Sequence, residues 1–194
     1  MAAEKHQSRM TARDYRVMER ESAERHELFD GSASLMAGGT RLHSALGRNV
    51  VTVLIEVVGE GPCEVYNSDM RVRLSEAIQV YPDATVTCDE RDGVNDDEDE
   101  IAYPRLVIEV LSQGTERVDR GRKLRDYQAC PTIEEYALVS SEYQAMEVYR
   151  RSGSGWTYHR YEADGVAELT SIGARFPLAA LYRRTAVPAM PARS

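Results

Sequence analysis

The sequence predicts a single α/β domain, built on a mixed β-sheet that is flanked by helices and carries additional β-hairpins. Three observations support this prediction: a long helical pattern in the first third of the chain, an apolar run at 105–111, and segments with period two around that run. At 194 residues, the chain is long enough to bury the core of one domain. We expect this domain to span 11–185, between a flexible N-terminus at 1–10 and a flexible tail at 186–194.

The helices and strands follow from the spacing of the apolar residues. Helices are predicted where these residues recur every three or four positions: 11–22, 40–58 and 118–129. Strands are predicted in short alternating or wholly apolar segments: 63–66, 69–74, 77–80, 83–88, 105–111, 135–139, 146–150 and 156–161. Asp30-Gly31 predicts a type I′ hairpin turn within 26–36, since both residues tolerate positive φ angles. Thr11 and Asp14 occupy the capping-box positions of the first helix.

The negative charge of the chain is concentrated in one segment. The net charge is −8, but the acidic stretch 89–100 alone carries −7, which leaves −1 for the rest of the chain. Such a stretch is typical of a solvated loop, and a flap that attracts metal or repels DNA is the alternative. Basic residues cluster modestly at 117–125. These residues, with Arg71 and Arg73, form a modest basic patch and not a strong nucleic-acid footprint.

The sequence favours a cytoplasmic protein. No apolar run approaches the roughly 20 residues that a membrane helix needs, so no membrane partner is expected. The first ten residues contain no apolar region of the kind found in secretory signals. The three cysteines, Cys63, Cys88 and Cys130, are odd in number and far apart. This pattern fits a reduced protein better than a disulfide framework or a zinc site.

Two acids could meet at the centre of the predicted sheet. Asp83 follows Pro82, which restricts it to the start of its strand, and Glu109 lies inside an apolar strand, where an unpaired carboxylate is costly. If the two strands are neighbours, both carboxylates can face the same side and bind magnesium. The alternatives are a turn or capping acid for Asp83, and an outward-facing residue or the partner of a buried arginine for Glu109.

Lys123 could supply a cation beside these acids. On the predicted helix 118–129, it shares one face with Asp119 and Tyr127. As a catalytic group it would orient the attacking water or stabilise the scissile phosphate as charge builds. As a structural group it would form an ordinary helix ion pair with Asp119. His43, near the start of the second helix, is either a satisfied structural group or a residue that positions a phosphate or a strand.

Several motifs are specific in combination, through their order and spacing: His26-Glu27-Leu28-Phe29-Asp30-Gly31, His43, Asp69-Met70-Arg71-Val72-Arg73, Tyr81-Pro82-Asp83, 106–112, and Thr115 with Asp119, Arg120, Lys123 and Tyr127. Through them, the region 11–150 resembles the Uma-two family of restriction-endonuclease-like proteins, which is placed in the PD-(D/E)XK nuclease superfamily. The resemblance implies a restriction-endonuclease-like core. It also implies hydrolysis of DNA phosphodiester bonds that depends on magnesium, with manganese as a substitute.

The resemblance further implies roles for single residues. Asp83 matches the aspartate of the PD element, Glu109 matches the first acid of the (D/E)XK element, and Glu27 matches the acid of an early family motif. These three residues are therefore the expected metal ligands. The lysine expected two positions after Glu109 is replaced by Leu111 in this sequence. Lys123 is its expected stand-in.

A homodimer is the expected assembly, because many restriction-like nucleases act on two strands through two-fold symmetry. In the last predicted strand, Trp156, Tyr158 and Tyr161 favour a packed edge or a dimer contact over a base-stacking platform. The sequence does not indicate a separate recognition domain.

The principal hypothesis is a metal-dependent endonuclease that uses Asp83, Glu109, Lys123 and Glu27 on DNA. The displaced lysine and the net negative charge motivate an alternative from another class. In that alternative, the chain is a catalytically inactive nuclease-fold module for binding or assembly. A third hypothesis is a hydrolase that acts on a small phosphoester.

Overall fold

The strands of the protein form two large sheets and one small sheet. The computed structural model describes residues 9–36, 38–94 and 99–190. The helices are α1 (Ala12–Glu21), α2 (Arg41–Val58), α3 (Glu116–Val118) and α4 (Leu124–Ala129), with a π-helical turn (Asp119–Lys123) and 3₁₀ turns (Asp92–Val94, Thr170–Ile172 and Leu178–Tyr182). The strands are β1 (His26–Phe29), β2 (Ser32–Leu35), β3 (Glu64–Asn67), β4 (Arg71–Ser75), β5 (Ile78–Val80), β6 (Ala84–Thr87), β7 (Glu100–Ile101), β8 (Pro104–Val110), β9 (Glu135–Val139), β10 (Ala145–Ser152), β11 (Gly155–Glu162), β12 (Val166–Leu169) and β13 (Ala174–Pro177).

The central sheet has six strands in the order β11-β10-β9-β8-β6-β3. β8 and β9 are parallel and the other neighbours are antiparallel, so the sheet is mixed, as predicted. In β8, Leu106, Ile108 and Val110 belong to the core cluster formed with α2. Val107 and the following Leu111 belong to the core cluster on the other face. The predicted central strand with two covered faces is therefore confirmed.

α2 covers one face of the central sheet. Its buried apolar residues recur every three or four positions: Leu46, Val50, Val53 and Leu54. Burial of each such side chain contributes roughly 1.5–3 kcal/mol. The Thr40 hydroxyl caps the helix by accepting a hydrogen bond from the His43 amide at 3.1 Å. Gly59, with a φ angle of 56°, ends it. Both predicted ends of this helix are confirmed.

The second sheet faces the other side of the central sheet and has the order β2-β1-β5-β4-β7. The turn between β1 and β2 contains Asp30 and Gly31 with φ angles of 49° and 81°, as the sequence predicts for a type I′ turn. α1 begins with the predicted capping box between Thr11 and Asp14. This sheet carries Glu27, on β1, toward the centre of the molecule.

The region 116–129, here called the site helix, consists of α3, the π-helical turn and α4. The sequence predicts a regular helix over 118–129, but the structure starts the helical region at Glu116 and widens it at Asp119–Lys123. π-Helical turns are rare and occur frequently at functional sites. Asp119 and Lys123, at the two ends of the turn, are both buried. The widened turn thus belongs to a segment with two ionisable groups in the interior.

The expectation of unpaired cysteines is wrong for two of the three. β3 and β6 pair antiparallel with Glu64 opposite Thr87, so the flanking Cys63 and Cys88 lie opposite each other. They form a disulfide with a Cα–Cα distance of 4.0 Å. Cys130 is free and buried. Distance along the sequence is a poor guide here, because sheet pairing brings residues 25 positions apart into contact. The cysteine pattern therefore no longer supports a cytoplasmic location, which stays a prediction.

Loss of this disulfide should destabilise the protein measurably. Its two cysteines are 25 positions apart, and cross-linking a loop of this length stabilises a fold by roughly 3 kcal/mol. We expect reductant to lower the free energy of urea unfolding of the oxidised protein by about this amount. The Cys63→Ser/Cys88→Ser variant serves as the control and should show the lowered value with or without reductant. An unchanged unfolding midpoint on reduction would contradict the prediction.

The C-terminal part is more ordered than the sequence predicts. β12 and β13 pair, and the 3₁₀ turn at Leu178–Tyr182 packs against α2, where the Asn49 side-chain amide donates to the Leu181 carbonyl at 2.9 Å. The described part of the expected flexible tail is docked: Val187 is buried, and its carbonyl accepts from Gln144 Nε2 at 2.8 Å. These contacts depend on distant residues, so local patterns do not indicate them.

Both ends of the acidic stretch 89–100 are structural. Asp92 accepts a hydrogen bond from the Ala102 amide at 2.8 Å. Glu100 begins β7, is buried, and pairs with Arg71 at 3.3 Å and with Arg73 at 2.5 Å. The expected loop is therefore anchored on both sides, while its centre, 95–98, lies outside the described residues, as do 1–8 and 191–194. None of the helices described is long and apolar enough to cross a membrane.

Candidate active site

Asp83 and Glu109 lie on neighbouring strands. β6 and β8 are antiparallel with Ala84 opposite Ile108, and this register places Asp83, just before β6, opposite Glu109. Residues opposite each other in such a pair project to the same face. The Asp83 carboxylate is anchored here because its Oδ2 atom accepts a hydrogen bond from the Val110 amide at 2.7 Å. The sequence predicted that the two acids would face the same side if their strands were neighbours. The structure fulfils this condition.

Glu109 is a buried carboxylate with two donors on one oxygen. It is 4% exposed, and its Oε1 atom accepts hydrogen bonds from Lys123 Nζ at 2.9 Å and from the Tyr127 hydroxyl at 2.7 Å. Burial raises the pKa of Glu109 to about 8; Lys123 opposes this shift, whereas the negative charge of Asp83 adds to it. Protonation of Glu109 is therefore easier than that of an exposed glutamate.

Lys123 stands among three carboxylates. Its Nζ atom lies 2.8 Å from Glu27 Oε1, 2.9 Å from Glu109 Oε1 and 3.9 Å from Asp119 Oδ1, and the residue is 7% exposed. Burial lowers the pKa of Lys123, but the charges of Glu109, Glu27 and Asp119 outweigh burial and raise it overall. Lys123 is therefore a charged ammonium at neutral pH.

Glu27 joins the site from the second sheet. Besides the contact with Lys123, its Oε1 atom accepts a hydrogen bond from the Tyr81 amide at 3.2 Å. Tyr81 lies two residues before Asp83, so this hydrogen bond ties β1 to the segment that carries the aspartate. The structure thus brings Glu27, Glu109 and Lys123 into direct contact and places Asp83 beside Glu109.

Asp119 and Tyr127 are two site residues that the sequence reasoning did not select. Asp119 is 2% exposed, burial raises its pKa, and its backbone carbonyl accepts from the Tyr136 hydroxyl at 3.2 Å. Tyr127 is fully buried and donates to Glu109. Their spacing in the sequence places Asp119 and Tyr127 on the same helix face as Lys123, which indicated only an ordinary ion pair. The sequence does not show that this polar face points into the interior of the protein.

His43 is the side-chain partner of Asp83. Its Nε2 atom lies 3.2 Å from Asp83 Oδ2, the same oxygen that accepts from the Val110 amide. The hydrogen bond to Asp83 raises the pKa of His43, and burial opposes that shift. These two contacts on Oδ2 fix the orientation of the Asp83 side chain. Neither of them involves Oδ1. The structure thus gives His43 a side-chain partner, and its role in positioning a phosphate or a strand stays a prediction.

Glu19, on α1, connects two segments that carry site residues. Its Oε1 atom accepts from the His26 amide at 3.0 Å and from the Tyr81 hydroxyl at 3.1 Å. His26 precedes Glu27, and Tyr81 lies two residues before Asp83. One buried carboxylate therefore holds together the two segments that carry site acids.

The donor set suits a hard cation. Three carboxylates, on Glu27, Glu109 and Asp119, surround the Lys123 ammonium, and Asp83 lies opposite Glu109 on the neighbouring strand, so acidic groups outnumber this cation. Magnesium prefers such oxygen ligands. Across 9–36, 38–94 and 99–190, no three acidic, histidine or cysteine side chains are grouped as a ready metal site. The carboxylates of Glu27, Glu109 and Asp119 lie instead around the Lys123 ammonium, which occupies the position of a cation between them.

Lysine is a rare residue in this chain. Among its 24 basic residues, only Lys5 and Lys123 are lysines, and the other 22 are arginines. An ammonium is a compact charge, whereas a guanidinium is a planar fork that needs more room. The choice of lysine at this position therefore fits a small space between carboxylates.

Together, the mixed central sheet, the helix α2 on one face and the second sheet on the other form a restriction-endonuclease-like core. A solved structure with this fold is the crystal structure of "a putative nuclease belonging to DUF820" from Anabaena variabilis. It matches with a TM-score of 0.71 and 19% identity, over 89% of this chain and 97% of that chain. The predicted fold class is therefore confirmed.

Residues 12–179 match the model of the Uma2 family, described as "Putative restriction endonuclease", and the chain belongs to that family. The uncharacterized protein slr1290 of Synechocystis is 37% identical over 178 residues, which cover 90% of this chain and 92% of that protein. A second uncharacterized Synechocystis protein, sll1609, is 28% identical over 145 residues, or 74% of this chain and 82% of its own length. The resemblance seen in the sequence is confirmed at the level of the family.

Proposed function

We propose that this protein is a metal-dependent endonuclease that hydrolyses DNA phosphodiester bonds, with magnesium, or manganese in its place, as the cofactor. The observation that carries the proposal is the group of three carboxylates, on Glu27, Glu109 and Asp119, around the ammonium of Lys123, with Asp83 opposite Glu109 on the neighbouring strand. A fold gains little stability from such an excess of buried charge. Binding a divalent cation during catalysis accounts for it.

Asp83, Glu109 and Glu27 would hold the metal ion. The ion would supply a bound water of lowered pKa and would neutralise charge that develops on the phosphate. His43 and the Val110 amide hold Asp83 by its Oδ2 atom, so that Oδ1 can turn inward. Tyr127 holds Glu109 by its Oε1 atom. These contacts fix the ligands before the substrate arrives.

Lys123 would orient the attacking water or hold the scissile phosphate as charge builds. It acts in place of the lysine that the superfamily motif puts two positions after Glu109. Leu111 at that position is 4% exposed and belongs to the core beside Val107 and Tyr127, so a lysine there would lie in an apolar environment. The site helix brings the ammonium of Lys123 to Glu109 instead.

The surface beside the site offers limited positive charge for DNA. On the site helix, Arg120 is paired with Glu116 and Glu147, and Arg122 is paired with Asp30. Arg117 and Arg125 are exposed, and neither forms an ion pair within the described ranges. These two arginines are the groups on this helix that remain for phosphate contacts.

One observation favours the alternative of an inactive binding or assembly module. The Lys123 ammonium already satisfies Glu27 and Glu109, so the site is neutralised in part without a metal. Isothermal calorimetry with magnesium and with manganese separates the two functions. The nuclease requires metal binding that Asp83→Asn weakens, whereas the module binds no metal.

Cleavage of supercoiled plasmid DNA tests the proposal directly. We expect the purified protein to nick or linearise plasmid with magnesium or manganese, and to leave it intact with chelator. Asp83→Asn should abolish the activity, while Asp164→Asn, which changes an exposed acid in the loop before β12, should preserve it. Absence of cleavage, or equal cleavage by Asp83→Asn, would overturn the proposal. Hydrolysis of nucleotides without cleavage of DNA would instead indicate a small-phosphoester hydrolase.

A further inference from the structure

The outer edge of β11 is the longest unpaired strand edge in the described part of the chain. β11 is the last strand of the central sheet, and its eight residues pair with β10 in one continuous register. The other edge strands of the two large sheets, β2, β3 and β7, span at most four residues. Natural proteins usually protect long edges with prolines, bulges or inward-pointing charges. β11 contains neither a proline nor a bulge.

The hairpin turn before β11 determines which of its amides point outward. Gly153 and Ser154 connect Ser152 to its partner Gly155, and Gly153 has a φ angle of 58°, as in a type II′ turn. Hydrogen-bonded and non-hydrogen-bonded pairs alternate from this closing pair onward. The amides of alternate residues therefore point away from β10: Trp156, Tyr158, Arg160 and Glu162.

One aromatic side chain, Tyr158, is exposed along this edge. Tyr158 is 51% exposed, and its ring centroid lies 5.5 Å from that of Tyr149 on β10. The Arg160 side chain forms ion pairs within its own chain: its Nη1 atom lies 3.2 Å from Glu147 and its Nε atom lies 3.0 Å from Glu162. Tyr161 points to the opposite face and packs against the core, so it does not belong to this surface.

We propose that β11 pairs antiparallel with β11 of a second copy of this chain, which joins two central sheets across a two-fold axis. The edge is self-complementary in the register that uses all four outward amides of both copies. In that register, Tyr158 lies opposite Arg160 of the second copy, and the axis passes between the two His159 residues. An arginine against a tyrosine ring adds a cation–π contact to the backbone hydrogen bonds.

This pairing gives the homodimer predicted from the sequence a specific surface. It is independent of the proposed function, because Glu27, Asp83, Glu109 and Lys123 all lie on other elements. Each copy keeps a complete site, so the assembly can be tested without any nuclease assay.

The first test is the mass in solution, measured by size-exclusion chromatography with light scattering. The wild type should have twice the 21.8 kDa mass of one chain. Tyr158→Pro removes one outward amide but no backbone hydrogen bond to β10, so it should yield a folded monomer. Tyr158→Ala keeps the amide and should remain dimeric. A monomeric wild type, or a dimeric Tyr158→Pro variant, would overturn the proposal.

The second test is cross-linking, which remains decisive if Tyr158→Pro does not fold. Opposed residues of a non-hydrogen-bonded pair have Cα atoms about 4.5 Å apart, within the range of a disulfide. His159→Cys should therefore form a covalent dimer on mild oxidation with diamide. Thr157→Cys, which faces Tyr161 of the second copy, should remain a single chain on a non-reducing gel. Failure of His159→Cys to cross-link, or equal cross-linking of both variants, would refute the pairing.

Discussion

Replacing Glu109 with glutamine should reduce DNA cleavage by about a thousandfold without unfolding the protein. A metal ion supplies several kcal/mol of charge stabilisation in the transition state, and its loss corresponds to a rate change of this order. Glutamine keeps an oxygen that accepts from Lys123 and Tyr127, which now donate to Glu109 Oε1. The structural contacts therefore survive while the charge of the ligand is lost. Single-turnover cleavage with manganese measures the effect, and Asp164→Asn is the matched control.

The same substitution should change how stability depends on pH. The pKa of Glu109 is raised from 4.5 to about 8 in the folded protein, so between these values the folded state holds a proton that the unfolded state has lost. The free energy of unfolding therefore falls as pH rises through this window. A glutamine side chain cannot ionise, so the Glu109→Gln variant should lose this contribution to the slope. Urea unfolding in chelator at pH 5, 7 and 9 checks this, and an unchanged slope would contradict the environment assigned to Glu109.

Replacing Lys123 with methionine should cost the folded protein about 3–5 kcal/mol at neutral pH in chelator, and should also abolish cleavage. Methionine fills a similar volume but leaves Glu27, Glu109 and Asp119 without the ammonium that neutralises them. Removing one partner from a buried charge cluster is strongly destabilising because the remaining charges stay desolvated. Arg125→Met, two positions further along the same helix, changes an exposed cation and should cost less than about 1 kcal/mol.

Two conditions should partly restore the stability of Lys123→Met. At pH 5 the carboxylates can take up protons, so the difference from wild type should shrink. Manganese should raise the unfolding temperature of the variant more than that of the wild type, because the divalent cation takes the place of the missing ammonium. A variant as stable as wild type in chelator would contradict the role of Lys123 as counter-ion. A variant that manganese does not stabilise would contradict the metal site.

Local patterns predicted much of the secondary structure. The capping box of Thr11 and Asp14 and the Asp30-Gly31 turn were predicted correctly because they depend on residues within four positions of each other. The strand around Glu109 was predicted correctly because the apolar run has the length of a strand and contains several β-branched residues. The widened π-helical turn was not predicted, since neither spacing nor composition distinguishes it from an ordinary helix.

The candidate site was predicted less completely. Asp83, Glu109, Lys123 and Glu27 were all selected, but Glu27 was selected through the family resemblance and not through its own chemistry. Asp119 was visible on the helix, yet its burial depends on which face of the site helix meets the sheets. That orientation is set by packing between elements far apart in the chain.

Short-range spacing and capping specify the main helices, the hairpin turn and the apolar strand that carries Glu109, and the order of the motifs identifies the family. The contact of Cys63 with Cys88, the approach of Glu27 to Lys123 from a second sheet and the docking of the chain around Val187 depend instead on the folded arrangement. Strand register and burial settle such contacts, and both arise only when distant segments exclude water together. The free energy of each buried charge is therefore a property of the folded molecule.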